Sequence, residues 1–244
     1  MVLNAFDLTG KVAIVTGAGS GLGKFEAIGL AKAGAALVVN DLAPNEAVEA
    51  TLEEIRGLGA KVEFVAGNVG ERSTADALME AAQGQFGSVD IVVNNAGVVR
   101  DRMLFNMSDE DWDLVLEVHL RGHFLLCRNA AAYWRAKSKE AGAPVYGRIV
   151  NTSSEAGLLG PEGQPNYGAA KAGINQEGAA AASYKQMLTG AVSLQDFLTF
   201  TGLGQQHLIP LISRYCESFP EVYIELTLAQ RQPDILDGRH VPAI

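Results

Sequence analysis

The sequence predicts a doubly wound α/β fold of Rossmann type, a single three-layer domain with helices on both faces of a parallel sheet. Three observations predict it. Short runs rich in β-branched residues, KVAIVT over 11–16 foremost, are apolar without alternation, as strands buried on both faces must be. Between them lie segments with helical spacing that stop at glycine. The first such run leads directly into a glycine-rich turn, 17–23, that opens a helix.

Each element follows in order. After the strand at 11–16, residues 24–33 keep helical spacing and stop at Gly34. A second strand, 36–40, closes on Asp41, and a helix over 45–58 stops at Gly59. Strands are predicted at 62–66, 89–93 and 148–152, with a helix over 73–86 and one long helical region over 108–139. A further helix carries Tyr167 and Lys171. Such regular alternation implies a parallel sheet with right-handed crossovers.

Composition narrows the function. A chain of 244 residues with 48% hydrophobic residues can bury one large core. A net charge of −9 without any basic block argues against nucleic-acid and anionic-membrane partners. No stretch reaches the ~18 apolar residues of a membrane span, and the first seven residues lack the basic start of a signal peptide. Cys127 and Cys216 read as reduced thiols, consistent with a cytoplasmic protein. Neither they nor the histidines have zinc-ligand spacing, so no metal is expected.

Two groups of residues carry chemistry. In Thr16-Gly17-Ala18-Gly19-Ser20-Gly21-Leu22-Gly23, set between strand and helix, glycines let the backbone approach a diphosphate at the helix N-terminus. Asp41, eighteen residues after Gly23, admits two readings. It can accept the ribose hydroxyls of NAD and repel a 2′-phosphate, or it can be a turn-capping aspartate. The second group is Tyr167 with Lys171, one helical turn apart, and Ser154 thirteen residues before the tyrosine. An ammonium beside a phenol favours the phenolate, and a nearby hydroxyl can hold a carbonyl oxygen while a proton moves. No G-x-S-x-G surrounds Ser154, so it is not read as a hydrolase nucleophile.

With these motifs in this order, the chain from Leu8 to Asn175 resembles the short-chain dehydrogenase/reductase family. Thr16, Gly17, Gly21 and Gly23 meet its glycine motif, and Asn94-Asn95-Ala96-Gly97 meets the asparagine motif that follows its fourth strand. Ser154, Tyr167 and Lys171 meet its catalytic set. The resemblance implies that Tyr167 is the general acid/base, that Ser154 orients the substrate oxygen, and that Lys171 assists the tyrosine and holds the nicotinamide ribose. It implies NAD as cofactor, bound by Gly17, Ser20, Gly21, Leu22, Gly23, Asp41, the stretch Asn95, Ala96, Gly97, and Tyr167 and Lys171, with Asn68 and Val69 flanking the adenine. The family usually has aspartate where Asn68 stands, and an amide oxygen can still accept from the adenine amino group. The relay asparagine of the family is replaced by His119, read either as a relay residue or as a structural histidine. His119, Arg100-Asp101-Arg102 and the acidic run from Asp109 resemble the (3R)-hydroxyacyl-CoA dehydrogenase branch. A homodimer is expected through the long helices, with Tyr133 and Trp134 near that surface.

From residue 177 on, the family pattern is not recognisable, and no Pro-Gly follows a sixth strand. Residues 183–244 resemble the start of a LysR-type regulator's effector domain, with Gly190-Ala191-Val192-Ser193-Leu194 as its first strand. Helical spacing is read over 203–219 and a strand over 222–228. This divides the chain into a dehydrogenase-like portion, 1–176, and a β–α–β segment, 177–244, expected to complete the same sheet. Recombination near 176–185 and divergence of the last third are both open. Three functions follow: an NAD(H)-dependent oxidoreductase interconverting a secondary alcohol, hydroxyacyl or steroid-like, and a ketone; an NAD-binding scaffold impaired in catalysis; and an effector-binding module.

Overall fold

The computed structural model describes residues 7–175 and a strand at 196–198. In chain order it contains β1 (Val12–Thr16), α1 (Gly21–Lys32), β2 (Ala36–Asp41), α2 (Glu46–Gly57), β3 (Val62–Ala66), α3 (Arg72–Phe86), β4 (Ile91–Asn94), α4 (Asp109–Leu116), α5 (Gly122–Ala141), β5 (Arg148–Thr152) and the single turn α6 (Ala156–Leu159). A helix over 165–175, here α7, and β6 (Asp196–Leu198) complete it. The strands are parallel in the order β3-β2-β1-β4-β5-β6. The chain winds outward from β1 to β3, then returns and winds the other way from β4. The carboxyl ends of β1 and β4 therefore flank the switch point where such sheets bind ligands.

The apolar runs are explained by the two faces of the sheet. Ala13, Val15, Leu37, Val39, Ile91 and Val93 pack with Ala27, Ile28, Val48, Leu52 and Ile55 of α1 and α2. Val12, Ile14, Val38 and Val92 pack with Leu78, Met79, Leu126 and Ala130 of α3 and α5. Burying a side chain such as Ile14 or Leu37 contributes about 1.5–3 kcal/mol. β3 is the exception, with Glu63 exposed, because it lies at the sheet edge.

Local chemistry sets the helix ends. Asn45 accepts the Val48 N–H at 3.0 Å to cap α2, and Ser108 accepts the Asp111 N–H at 3.1 Å to cap α4. α5 ends on Gly142 in the left-handed conformation.

Three details differ from the sequence reading. The fourth strand starts at Ile91 rather than 89, because the Asp90 carboxylate accepts the Val12 N–H and the Ser88 hydroxyl and so plugs the end of the ladder. The helical region after Ser108 is divided by a π turn, Glu117–Arg121, in which Gly122 N–H reaches back to Glu117 O. Trp134 is turned inward. Its Nε1 donates to Val89 O at 2.7 Å, and with Tyr133 it packs on the core rather than offering a dimer surface.

A strand, β6, extends the sheet beside β5, paired Val150 to Asp196 through Thr152 to Leu198, and the strand read over 190–194 lies outside the described residues. The helix read over 203–219 and the strand over 222–228 lie outside the described residues. No helix of the described residues is long and apolar enough to cross a membrane.

Candidate active site

The glycine turn joins β1 to α1. Gly17, at φ +63°, lies so close to the asparagine motif that a Cβ there would sit 2.8 Å from Ala96 Cα. Asn95 fastens this contact: its Nδ2 donates to Thr16 O and Gly17 O at 3.1 and 3.2 Å. The Thr16 hydroxyl accepts the N–H groups of Asn95 and Ala96, both at 3.1 Å. Gly21, at φ +55°, has open space where a side chain would stand. Ser20 precedes α1 without a side-chain cap, and the first turn holds no acidic residue. An uncapped helix end with open space above it suits an anionic diphosphate.

Asp41, at the end of β2, does the turn-capping job of the two the sequence left open. Its Oδ2 accepts the Gly19 N–H at 2.9 Å and its Oδ1 accepts the Leu42 N–H at 2.8 Å. A carboxylate has about four lone-pair sites, so acceptors remain for a ribose. Asn68 is more committed. Its Oδ1 accepts the Gly70 N–H at 2.9 Å and its Nδ2 donates to Glu117 Oε1 at 2.8 Å. An aspartate at 68 would set two carboxylates against each other, which explains an amide there. Val69 beside it packs on the start of α5, close to Gly122.

Tyr167 and Lys171 share one face of α7. The Lys171 ammonium lies 5.5 Å from the centre of the tyrosine ring and donates to Thr152 O at 2.6 Å. Lys171 is 1% exposed, and that burial pushes its pKa down to about 7. Tyr167 also neighbours His119, whose ring meets it edge to face at 5.2 Å. His119 is buried, and burial followed by the Lys171 charge lowers its pKa to about 4, so the imidazole is neutral at pH 7. Its Nε2 lies 2.8 Å from Val98 O and 3.0 Å from Val98 N. With the proton on Nε2, that nitrogen donates to the carbonyl and Nδ1 is left as an acceptor without a partner among the described residues. Gly97 packs on the same ring. His123 is buried one turn on and held neutral chiefly by desolvation.

The two serines separate clearly. Ser153 is buried and its hydroxyl is bonded to Asn175. Ser154 lies on the turn after β5, where its Oγ accepts the Ala156 N–H at 3.2 Å and keeps its own proton to donate. That turn is pressed onto α7, since a Cβ at Gly157 would stand 2.6 Å from Ala172 N. Among the described residues no group of three or more His, Cys, Asp or Glu is arranged to hold a metal ion.

Glycine turn, asparagine motif, serine turn and tyrosine helix thus gather at one end of one sheet, and the short chain dehydrogenase family model matches residues 11–185. The chain belongs to the short chain dehydrogenase family. It is 62% identical over 176 residues to a hydroxyacyl-CoA dehydrogenase of Mycobacterium tuberculosis, covering 70% of this chain and 55% of that protein. It is 42% identical over 173 residues to the mouse peroxisomal multifunctional enzyme type 2, covering 68% of this chain and 22% of that one. Among solved structures, a short chain dehydrogenase from Mycobacterium avium superposes with a TM-score of 0.72 at 41% identity, over 79% of this chain and 68% of that one.

This chain therefore spans about half the length of the bacterial relative. The family match runs through residue 185, across the expected join at 176–185. The LysR-like reading of 183–244 finds no support in these comparisons.

Sequence reasoning missed three parts of the site. The Asn94 amide donates to Asn151 Oδ1 at 2.8 Å across β4 and β5; the matching asparagines at the ends of two strands were the available signal. Glu117 was passed over although it stands two residues before His119. Asn166, next to the tyrosine, makes three hydrogen bonds that no local pattern announces.

Proposed function

We propose that the chain is an NAD(H)-dependent oxidoreductase interconverting a secondary alcohol, hydroxyacyl or steroid-like, and the corresponding ketone. The observation that carries this reading is the Tyr167 ring in reach of both the Lys171 ammonium and the ring of His119. Tyr167 takes the hydroxyl proton in oxidation and returns it in reduction. Ser154 donates a hydrogen bond to the substrate oxygen. Lys171 supplies positive charge beside the phenol, and neutral His119 offers Nδ1 as the next acceptor on the proton's way out. The α1 N-terminus with Gly21 would hold the diphosphate, Asp41 the adenosine ribose, and Asn95 to Gly97 the floor beneath it. A bound nicotinamide dinucleotide supplies the hydride acceptor or donor. Asp41 favours NAD over NADP, because a 2′-phosphate would face its carboxylate.

The hydroxyacyl class is supported by the bacterial relative, a hydroxyacyl-CoA dehydrogenase, and by Arg100-Asp101-Arg102, which resemble that branch. A homodimer through the outer face of α4 and α5 accompanies the reading, where Leu116, Leu120 and Phe124 line a shallow groove.

The test is hydride transfer to NAD⁺ from a panel of secondary alcohols, with Tyr167→Phe alongside. The variant should lose about 10²–10⁴ in rate and keep its NAD⁺ affinity. Turnover that survives the substitution refutes the mechanism. NAD⁺ binding without turnover by the parent favours the impaired-scaffold reading, which the end of the family match at residue 185 keeps in view.

A further inference from the structure

Asn166 is fully buried, with an exposure of 0%. Both of its amide protons are used: Nδ2 donates to Arg100 O and to Asp111 O, each at 3.1 Å. Its Oδ1 accepts the N–H of Tyr167 at 2.8 Å. One side chain thus joins three pieces of chain: the loop after the asparagine motif, the first turn of α4, and the start of α7.

The bonds close a circuit around the reacting phenol. The loop that Asn166 holds at Arg100 is held two residues earlier, at Val98, by His119. His119 in turn packs against the Tyr167 ring, and Tyr167 returns to Asn166 through its backbone. Two outer bonds reinforce the same seam: Arg102 N–H to Gly163 O at 2.8 Å, and Gln164 Nε2 to Asp101 Oδ2 at 2.9 Å. The Gln164 contact is exposed and open to competition from water, whereas the amide of Asn166 is not. No other residue type of this size offers two donors and one acceptor from one planar group.

We propose that Asn166 is a positioning residue for Tyr167, setting the phenol against His119 and tying the loop after the asparagine motif to the catalytic helix. This rests on the oxidoreductase reading given above. Misplacing a reacting group by about 1 Å can cost ~10²-fold in rate, so a buried clamp adjacent to the acid/base residue acts on turnover without touching substrate.

The test uses the full chain and the variants Asn166→Ala and Asn166→Ser, the second keeping one donor and one acceptor. Turnover, NAD⁺ affinity, melting temperature and amide hydrogen exchange over residues 99–107 are measured on each. The expected result for N166A is a kcat lower by about 10- to 100-fold, NAD⁺ affinity unchanged, and faster exchange over 99–107, with N166S intermediate. Parental kcat with parental exchange overturns the proposal. So does a loss of kcat matched by an equal loss of NAD⁺ affinity and a collapsed melting temperature, which marks a structural role alone. If N166A does not fold, N166S is judged by the same criteria. If the parent oxidises no alcohol, the oxidoreductase reading fails by itself. Exchange over 99–107 then decides the clamp: faster in the variants sustains it, unchanged overturns it.

Discussion

Replacing Lys171 with methionine should make the protein more stable, although the lysine sits in the middle of its candidate site. Burial lowers the Lys171 pKa from 10.5 to about 7. At about 1.4 kcal/mol per unit, the charged form is disfavoured in the fold by roughly 5 kcal/mol relative to the unfolded chain. Methionine has similar length and no charge to desolvate. It also leaves Thr152 O without its donor, a loss of about 1–3 kcal/mol. The net expectation at neutral pH is a gain of about 2–4 kcal/mol. The pH dependence gives the sharper check. Between pH 7 and 10.5 the unfolded chain keeps a proton that the folded chain has released, so unfolding takes up a proton and the parent's stability rises with pH. Lys171→Met lacks that slope, so its advantage should shrink as pH rises and reverse between about pH 8 and 10. Urea unfolding followed by tryptophan fluorescence, with Trp112 and Trp134 as reporters, measures both. A variant less stable than the parent at neutral pH, or a difference independent of pH, would refute the assignment of Lys171 as a desolvated cation. Its turnover should be lost in either case, a stability gain at the expense of function.

Two further outcomes follow from the same geometry. Asp41→Ala removes the acceptor for the N–H groups of Gly19 and Leu42 and should destabilise the fold by about 1–3 kcal/mol. Calorimetric titration should show weaker NAD⁺ binding and a narrower gap between NAD⁺ and NADP⁺; an unchanged preference would remove Asp41 as the discriminating residue. Glu26, on α1, has both carboxylate oxygens buried without partners among the described residues, and burial raises its pKa from 4.5 to about 7. Between those values the folded chain holds a proton that the unfolded chain has lost, so this group's cost is absent below pH 4.5 and complete above pH 7. Glu26→Gln should therefore stabilise the protein by up to about 3 kcal/mol in alkaline unfolding experiments and match the parent in acidic ones.

The fold was legible because two-sided burial leaves an unmistakable mark: Val12 to Val15 and Ile91 to Val93 are apolar at every position since both faces are covered. The cofactor turn was legible because only glycine tolerates the approach of Gly17 to Ala96. Asp41 could not be resolved into one role from sequence, since hydrogen bonds to its own loop and to a ribose ask for the same carboxylate. Asn166 and the Asn68–Glu117 pair stayed hidden for a different reason. Their partners lie 49 to 66 residues away in the chain, and polar contacts at that separation leave no periodic trace. The end of β2 and the start of β4 were misjudged by a residue or two, where side-chain hydrogen bonds at the strand ends leave no pattern in the sequence.

The π turn at Glu117–Arg121 has a consequence for how changes along this helix combine. A wide turn holds one residue more than the regular spiral needs, so α4 and α5 are out of phase by about 100° across it. Val115 on one side of it and Leu125, Leu126 and Ala130 on the other are all buried. Shortening the turn by one residue would leave a well-formed helix and swing His119 out of line with Tyr167. The length of this segment, as much as its composition, is part of what the chain encodes about its chemistry.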